Sequence, residues 1–181
     1  IPSHSFVNQS EPIEMPTSLT GDYLLEPYIE TDAIMIERDR LNCVTKEGWI
    51  ELTVGVLEKN NDYHALSPSI TVAEGAILSL EEKFQGGTGI NLTPPPIDIL
   101  SAPATNKVKR LVEKAAKALG IQNYARLDIF FNRLNEKMIL IEANTLPGLT
   151  PSTVIYHQGL AEEPSLTPLA LLDTIISSKL S

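Results

Sequence analysis

Cysteine is nearly missing from this sequence: Cys43 stands alone among 181 residues, which excludes an internal disulfide and a thiolate metal cluster. Long apolar runs are missing as well. No stretch approaches the roughly 20 residues that cross a bilayer as a helix, and the first residues form neither a basic nor an apolar leader segment, so no membrane role is expected. Positive charge is scarce. A formal net charge of -9 leaves no electrostatic footprint for nucleic acid, and a phosphate-bearing ligand would have to be held by local cations against the overall field. The glycine-rich run Gly86-Gly87-Thr88-Gly89 follows Lys83, the reverse of P-loop order, and it lacks the spacing of a Rossmann fingerprint. What is present, 43% hydrophobic and 20% charged residues, has the balance of a soluble globular protein and suffices for one solid core or two small subdomains.

Residues 1–20 contain Pro2, Pro12 and Pro16 among Ser, Asn and Thr, with no sustained apolar period, and are expected to form a loose arm or linker. A short strand is expected over 22–29, demoted to an edge or an end of pairing by Pro27. Residues 30–48 alternate charges of both signs, a solvated surface that could extend as a hairpin. The strongest strand is 49–58, with Ile50, Leu52, Val54 and Val56 on one face and Glu51, Thr53 and Gly55 on the other, the period of 2 that marks a strand. Further strands are expected over 69–72 and 76–80, with Asn60-Asn61-Asp62 as a turn and His64 exposed in a loop.

Val108, Leu111, Val112, Ala115, Ala116 and Leu119 follow the i, i+3, i+4, i+7 pattern of an amphipathic helix, with Thr105 or Asn106 as N-cap and Gly120 as stop. Its lysines and Arg110 are expected on a solvated face. A short helix over 153–160 carries His157 in a structural rather than catalytic role. A last helix over 169–180 is expected to seal the core with Leu169, Leu172, Ile175 and Ile176.

The chemistry gathers in one stretch. Residues 125–131 and 138–144 read as two apolar strands joined by a polar turn, a β-hairpin. Alternation puts Arg126 and Asp128 on one face and Glu142 and Asn144 on one face of the partner. Should those faces coincide, two carboxylates and an amide meet, the hard oxygen donors that suit Mg2+ held with substrate phosphates, beside a guanidinium that complements negative charge. The plainer alternative is a structural ion pair of Arg126 with Asp128 or Glu142 on a half-exposed sheet. The strand then leaves through Pro147-Gly148 into a segment of helix-capping residues, a geometry that offers backbone N–H groups to an anion.

Arg126-x-Asp128 followed by Ile141-Glu142-Ala143-Asn144-Thr145-x-Pro147-Gly148-x-Thr150 resembles the C-terminal signature of D-alanine:D-alanine ligases, members of the ATP-grasp superfamily. The likeness extends over about 24–180, and the run from Lys83 to Pro96 is similar to the plant, plastid-type branch. The resemblance implies an α+β fold: the ATP-grasp C-terminal subdomain, a mainly antiparallel sheet with helices packed on one side, occupying 21–181 as the ATP- and metal-binding domain of a larger ligase. It implies ATP and Mg2+ (or Mn2+) as cofactors and D-alanine as substrate, in peptidoglycan synthesis for the cell wall. Asp128, Glu142 and Asn144 become the metal ligands, Arg126 and the Gly148 N–H the catalytic groups, and Glu26, Glu51 and Lys83 the nucleotide contacts. Thr153, Val154 and Phe84 become substrate-binding residues.

Lys83 to Pro96 would then supply a lysine for the ATP phosphates and a lid that closes over an acyl phosphate. Without the family, Glu26 reads equally as a solvent-facing glutamate and Glu51 as a cross-strand partner for a lysine. Phe84 departs from the tyrosine common in the family, whose hydroxyl helps select the amine acceptor, and leaves a hydroxy acid open as acceptor. The family's substrate domain and phosphate loop are not in this sequence, so the chain alone is expected not to turn over. Two alternatives are a nucleotide-binding or regulatory module without ligase activity and a ligase with another acceptor. The same resemblance leaves room for a homodimer, placed in the cytoplasm for a bacterial protein or the plastid stroma for a plant-type one.

Overall fold

The computed structural model describes residues 26–37, 40–74 and 89–180. The chain divides into two compact units, Ile1–Glu30 and Thr31–Ser181. In the first, residues 26–30 form no strand; Pro27 has no N–H to give a ladder. The rest of the strand expected over 22–29 lies outside the described residues, as do the strand expected over 76–80 and the stretch holding Lys83 and Phe84.

In the second unit the strands are β1 (Ala33–Glu37), β2 (Arg40–Val44), β3 (Trp49–Lys59), β4 (Asp62–Ala65), β5 (Ile70–Glu74), β6 (Gly89–Leu92), β7 (Tyr124–Asn132) and β8 (Met138–Asn144). The helices are α1 (Ala102–Ala118), α2 (Val154–Leu160) and α3 (Pro168–Leu180). Two four-stranded sheets result, in the orders β2-β1-β5-β6 and β4-β3-β7-β8. Every ladder is antiparallel except that of β1 with β5. The charged insertion is the β1–β2 hairpin. β4 was not expected: His64 lies in it, paired with Leu57 across β3. β6, paired with β5 from Ala73↔Gly89 to Ile70↔Leu92, occupies part of the stretch read as a lid.

The second sheet carries both the core and the chemistry. Ile50, Leu52, Val54 and Val56 of β3 and Ala125, Leu127, Ile129 and Phe131 of β7 are buried against Val108, Val112 and Ala116 of α1. The opposite face is covered at one end by α2 and α3, where Leu57 packs with Leu66, Ile155, Tyr156, Leu171 and Ile175. Helices therefore lie on both sides of this sheet, not on one as expected: the odd-numbered face of β3 is apolar at Leu57 and open at Gly55, and that end admits a second helical layer.

α1 begins four residues earlier than the 105 cap implies. Ser101 caps it, accepting from the Ala104 N–H at 3.4 Å, and a proline occupies the first turn, where a missing N–H costs nothing. Gly120 ends it at φ 64°, a left-handed residue that glycine adopts without penalty. In α3 the inward stripe is Leu171 and Ile175, whereas Leu169 and Ile176 are 78% and 58% exposed. Two residues along a helix turn by about 200°, so choosing 171 sends 169 outward.

Glu162, just after α2, ties three elements together. Its Oε1 accepts from Ser67 Oγ at 2.7 Å, and its Oε2 meets Lys109 Nζ of α1 at 2.7 Å and His64 Nε2 of β4 at 3.1 Å. Burial works against ionisation, but the bonds with His64, Lys109 and Ser67 and the Lys109 charge outweigh it and hold the carboxyl at about 2. A folded pKa below the unfolded one gives stability that is complete above the ordinary glutamate range.

Two outcomes follow. Stability against urea should decline as pH falls from about 4.5 towards about 2, and Glu162→Gln should flatten that part of the profile; an unchanged acid limb would show that the clamp does not contribute. At Gly55 a Cβ would meet Gln158 Oε1 at 2.8 Å and Ile155 Cγ1 and Leu66 Cδ1 at 3.1 Å each. Gly55→Ala should therefore destabilise the domain by about 1–3 kcal/mol in thermal denaturation, the usual cost of overpacking.

Candidate functional site

β7 pairs with β3 along its whole length, from Trp49↔Asn132 to Leu57↔Tyr124. The buried odd-numbered residues of β7 turn Arg126 and Asp128 to the opposite face. There they stand in register with Gly55 and Thr53 on one side and with Asn144 and Glu142 on the other. The coincidence of faces depends on β8. Asp128 faces Glu142, but the next residue, Ile129, faces Leu140, so Ile141 is an extra residue, a β-bulge. Met138 and Leu140 pack on the core. Strict alternation would send Glu142 in after them, and the bulge reverses the sense so that Ala143 turns inward and Glu142 and Asn144 join Arg126 and Asp128.

Arg126 Nη2 donates to Asp128 Oδ2 at 3.0 Å and lies 3.7 Å from Glu142 Oε1, with side-chain exposures of 32%, 15% and 60% for the three residues. Asp128 Oδ1 and Arg126 Nε are buried with no hydrogen-bond partner among the described residues. A buried carboxylate oxygen left unpaired is costly, and this one is beside a solvent-accessible second carboxylate. The ion pair and a metal site thus do not compete: the pair uses one oxygen of Asp128 and leaves the other.

No group of three His, Cys, Asp or Glu side chains suited to a metal occurs among the described residues. The donors are instead two carboxylates and the Asn144 amide, a set that fits a hard divalent cation completing its shell with phosphate or water oxygens. Asn144 Oδ1 also accepts from the Leu146 N–H at 3.1 Å, which fixes its rotamer while its second lone pair remains.

The chain leaves β8 through buried Pro147 and exposed Gly148, where a Cβ would meet nothing within 4 Å. Tyr156 of α2 donates its hydroxyl to the Leu149 carbonyl at 3.2 Å and holds this connection to the helix. Thr153 is the N-cap residue of α2 in extended conformation, and its side chain makes no capping bond. Val154 follows as the first helical residue. A cavity of about 400 Å³ beside α2 is lined by Asn91, Thr93, Pro94, Ser152, Val154, His157, Leu160 and Ala161.

The model of the D-Ala D-Ala ligase C-terminus matches residues 24–177. This chain belongs to the D-alanine–D-alanine ligase family. Curated ligases of that name from Caulobacter vibrioides and Nitratidesulfovibrio vulgaris are 31% and 34% identical over 110 and 113 residues, 61% and 62% of this chain. A third, from Desulfotalea psychrophila, is 30% identical over 129 residues, 70% of the chain. The aligned parts make up 33%, 35% and 38% of those relatives, so the chain spans little more than a third of their length. Among solved structures, the Bacillus anthracis D-alanine–D-alanine ligase complexed with ATP superposes with a TM-score of 0.54 at 20% identity, covering 84% of this chain and 39% of that one. The Coxiella burnetii ligase gives 0.52 at 26% identity, covering 77% and 34%. The fold is the ATP-grasp α+β fold.

Of the residues assigned from the family signature, Arg126, Asp128, Glu142 and Asn144 come together on one sheet face. Glu51 is on that face of β3, opposite Phe130 and next along from Thr53. Thr153, Val154 and Gly148 lie on the connection from β8 into α2. Glu26 is exposed in the first unit; Lys83 and Phe84 lie outside the described residues. Among those described, no helix is long and apolar enough to cross a membrane. Sequence reasoning missed Gln158, fully buried on α2. Its only signal was position: three residues after Ile155, a glutamine on the apolar stripe.

Proposed function

We propose that the protein to which this chain belongs is an ATP- and Mg2+-dependent ligase that joins two D-alanines through an acyl phosphate. The observation that supports this best is the cross-strand patch of Arg126, Asp128, Glu142 and Asn144, with Asp128 Oδ1 buried and unpartnered among the described residues. In this reading Asp128, Glu142 and Asn144 hold Mg2+ (or Mn2+). Held there, the cation would supply charge neutralisation for the ATP phosphates, so that Asp128, Glu142 and Asn144 would keep charge from building in apolar surroundings.

Arg126 is held by its two carboxylate neighbours and points its charge at the transferring phosphoryl and at the oxyanion formed when the second amine attacks the acyl carbon. The Gly148 N–H adds a second donor at that oxyanion. Glu26, Glu51 and Lys83 hold the nucleotide, and Thr153, Val154 and Phe84 form the acceptor subsite. The described relatives are bacterial, which favours a cytoplasmic setting over the plastid. Domain limits of 1–20 for a linking arm and 21–181 for the ATP- and metal-binding domain belong to the same proposal.

In the full-length protein, Asp128→Ala and Glu142→Ala should each lower D-alanine-dependent ADP release by roughly a hundredfold or more, the scale of losing a charge-stabilising group. Their thermal unfolding should remain cooperative, and Mn2+ binding in the presence of ATP, followed by electron paramagnetic resonance, should weaken in both. Undiminished turnover would refute the metal role. Offering D-lactate as acceptor tests the consequence of Phe84: ester formation would make the acceptor a hydroxy acid.

A further inference from the structure

Gln158 is 0% exposed, yet its side chain has a full set of polar partners. Its Oε1 accepts from the Gly55 N–H at 2.8 Å, and its Nε2 donates to the Thr53 carbonyl at 2.8 Å and to Ser69 Oγ at 3.0 Å. The reason for a glutamine lies in β3. On one edge β3 pairs with β4 up to Val56, and the chain then bends away before an isolated bridge rejoins it at Thr53↔Ser69. Gly55 falls in the gap, and its N–H would be buried without an acceptor. The primary amide of Gln158 mimics a peptide group and fills the break in the ladder. Gly55 has no Cβ, so α2 comes close enough for this: a Cβ there would stand 2.8 Å from Gln158 Oε1.

The junction is placed where the site is assembled. Thr53 and Gly55 are the β3 residues directly opposite Asp128 and Arg126. Gln158 lies on the helix whose first turn carries Thr153 and Val154. Ser69 Oγ continues the network to Thr93 Oγ1 at 2.6 Å, just past β6 and on the wall of the cavity that Val154 and His157 also line. One amide therefore fixes three parts: the strand behind the carboxylates, the helix bearing the acceptor residues, and the segment that follows β6. Apolar packing by Ile155 and Tyr156 holds α2 against the sheet but does not set its position along the strand, since such contacts slide. Three directional bonds do.

We infer that Gln158 is a positioning residue that sets the distance between Thr153–Val154 on α2 and the Arg126–Asp128 face. This rests on the ligase reading for its kinetic consequence, while its geometric content stands apart from it. Gln158→Met keeps the length and apolar stem and removes all three bonds; Gln158→Glu keeps the acceptor for Gly55 and loses the donor. In the full-length protein, Gln158→Met should raise the KM of the second D-alanine by about tenfold or more, as expected when a reacting group is misplaced by about an ångström. The KM for ATP should be unchanged. Gly55→Ala, which pushes the same helix outward, should shift the same constant in the same direction.

Leu171→Val, a cavity variant in the α3 core, serves as the control for stability lost without the junction, and its acceptor KM should equal that of the parent. Amide hydrogen exchange provides the arm that needs no activity. Gln158→Met should speed exchange at Gly55 and at residues 154–156 while leaving β7 protected. If the wild-type protein shows no D-alanine-dependent ADP release, the ligase reading fails and the exchange arm alone decides on Gln158. Unchanged exchange at Gly55 and 154–156, or an acceptor KM that moves as much in Leu171→Val as in Gln158→Met, would overturn the inference.

Discussion

The antiparallel pairing of β3 with β7 is the constraint on which the rest depends. Nine consecutive residue pairs join the two strands, and on both strands every second residue is buried in the core beneath α1. Registry is thereby fixed from two directions at once, by ladder bonds and by the hydrophobic cost of turning Leu127 and Ile129 outward. Arg126 and Asp128 are displayed as the complement of that core. Their orientation needs no local device; it is what remains once the apolar set has been buried.

The ion pair read from the hairpin is present, and its geometry is compatible with the proposed metal site. Arg126 bonds one oxygen of Asp128 and sits near Glu142, which limits the repulsion between carboxylates on adjacent strands and fixes the rotamer of the buried one. The oxygen left over is the one without a partner among the described residues. An ion pair that occupies half of a carboxylate is a mount for the other half. Gln158 plays the corresponding part on the far side of β3, where a side-chain amide completes the backbone ladder so that a helix can approach the strand.

What could be read from the sequence was what periodicity encodes. The strand over 49–58, the hairpin over 125–144 and the helix over 102–119 each repeat an apolar period long enough to exclude competitors, and all three are present. β4 escaped because four residues starting at Asp62 carry too short a pattern to separate from a turn. The α1 cap was placed late because Thr105 resembles a cap as well as Ser101 does, and only the proline after Ser101 distinguishes them. In α3 nearly every position of 169–176 is apolar or small, so the sequence favours no stripe and packing chose Leu171 and Ile175. Glu162 and Gln158 form their bonds with residues about 50 to 105 positions away, a separation that no local pattern reports. The signature from Arg126 to Thr150 named a family because its residues recur at fixed intervals, and the ladder shows why the intervals matter: Asp128 to Glu142 is the distance around the turn to the facing residue.

The bulge at Ile141 carries a consequence for how this stretch can vary. Upstream of it, odd and even positions of β8 have one meaning; downstream they have the opposite one. Pairing β8 in strict alternation with Ile141 retained would fold Glu142 and Asn144 under the sheet, whereas deleting Ile141 would leave both facing Asp128 and Arg126. The meeting of Asp128, Glu142 and Asn144 on one face is thus written in the strand register as much as in residue types. Homologous chains that keep the same residues but pair the two strands without the bulge would preserve the motif on paper and forfeit the arrangement in space.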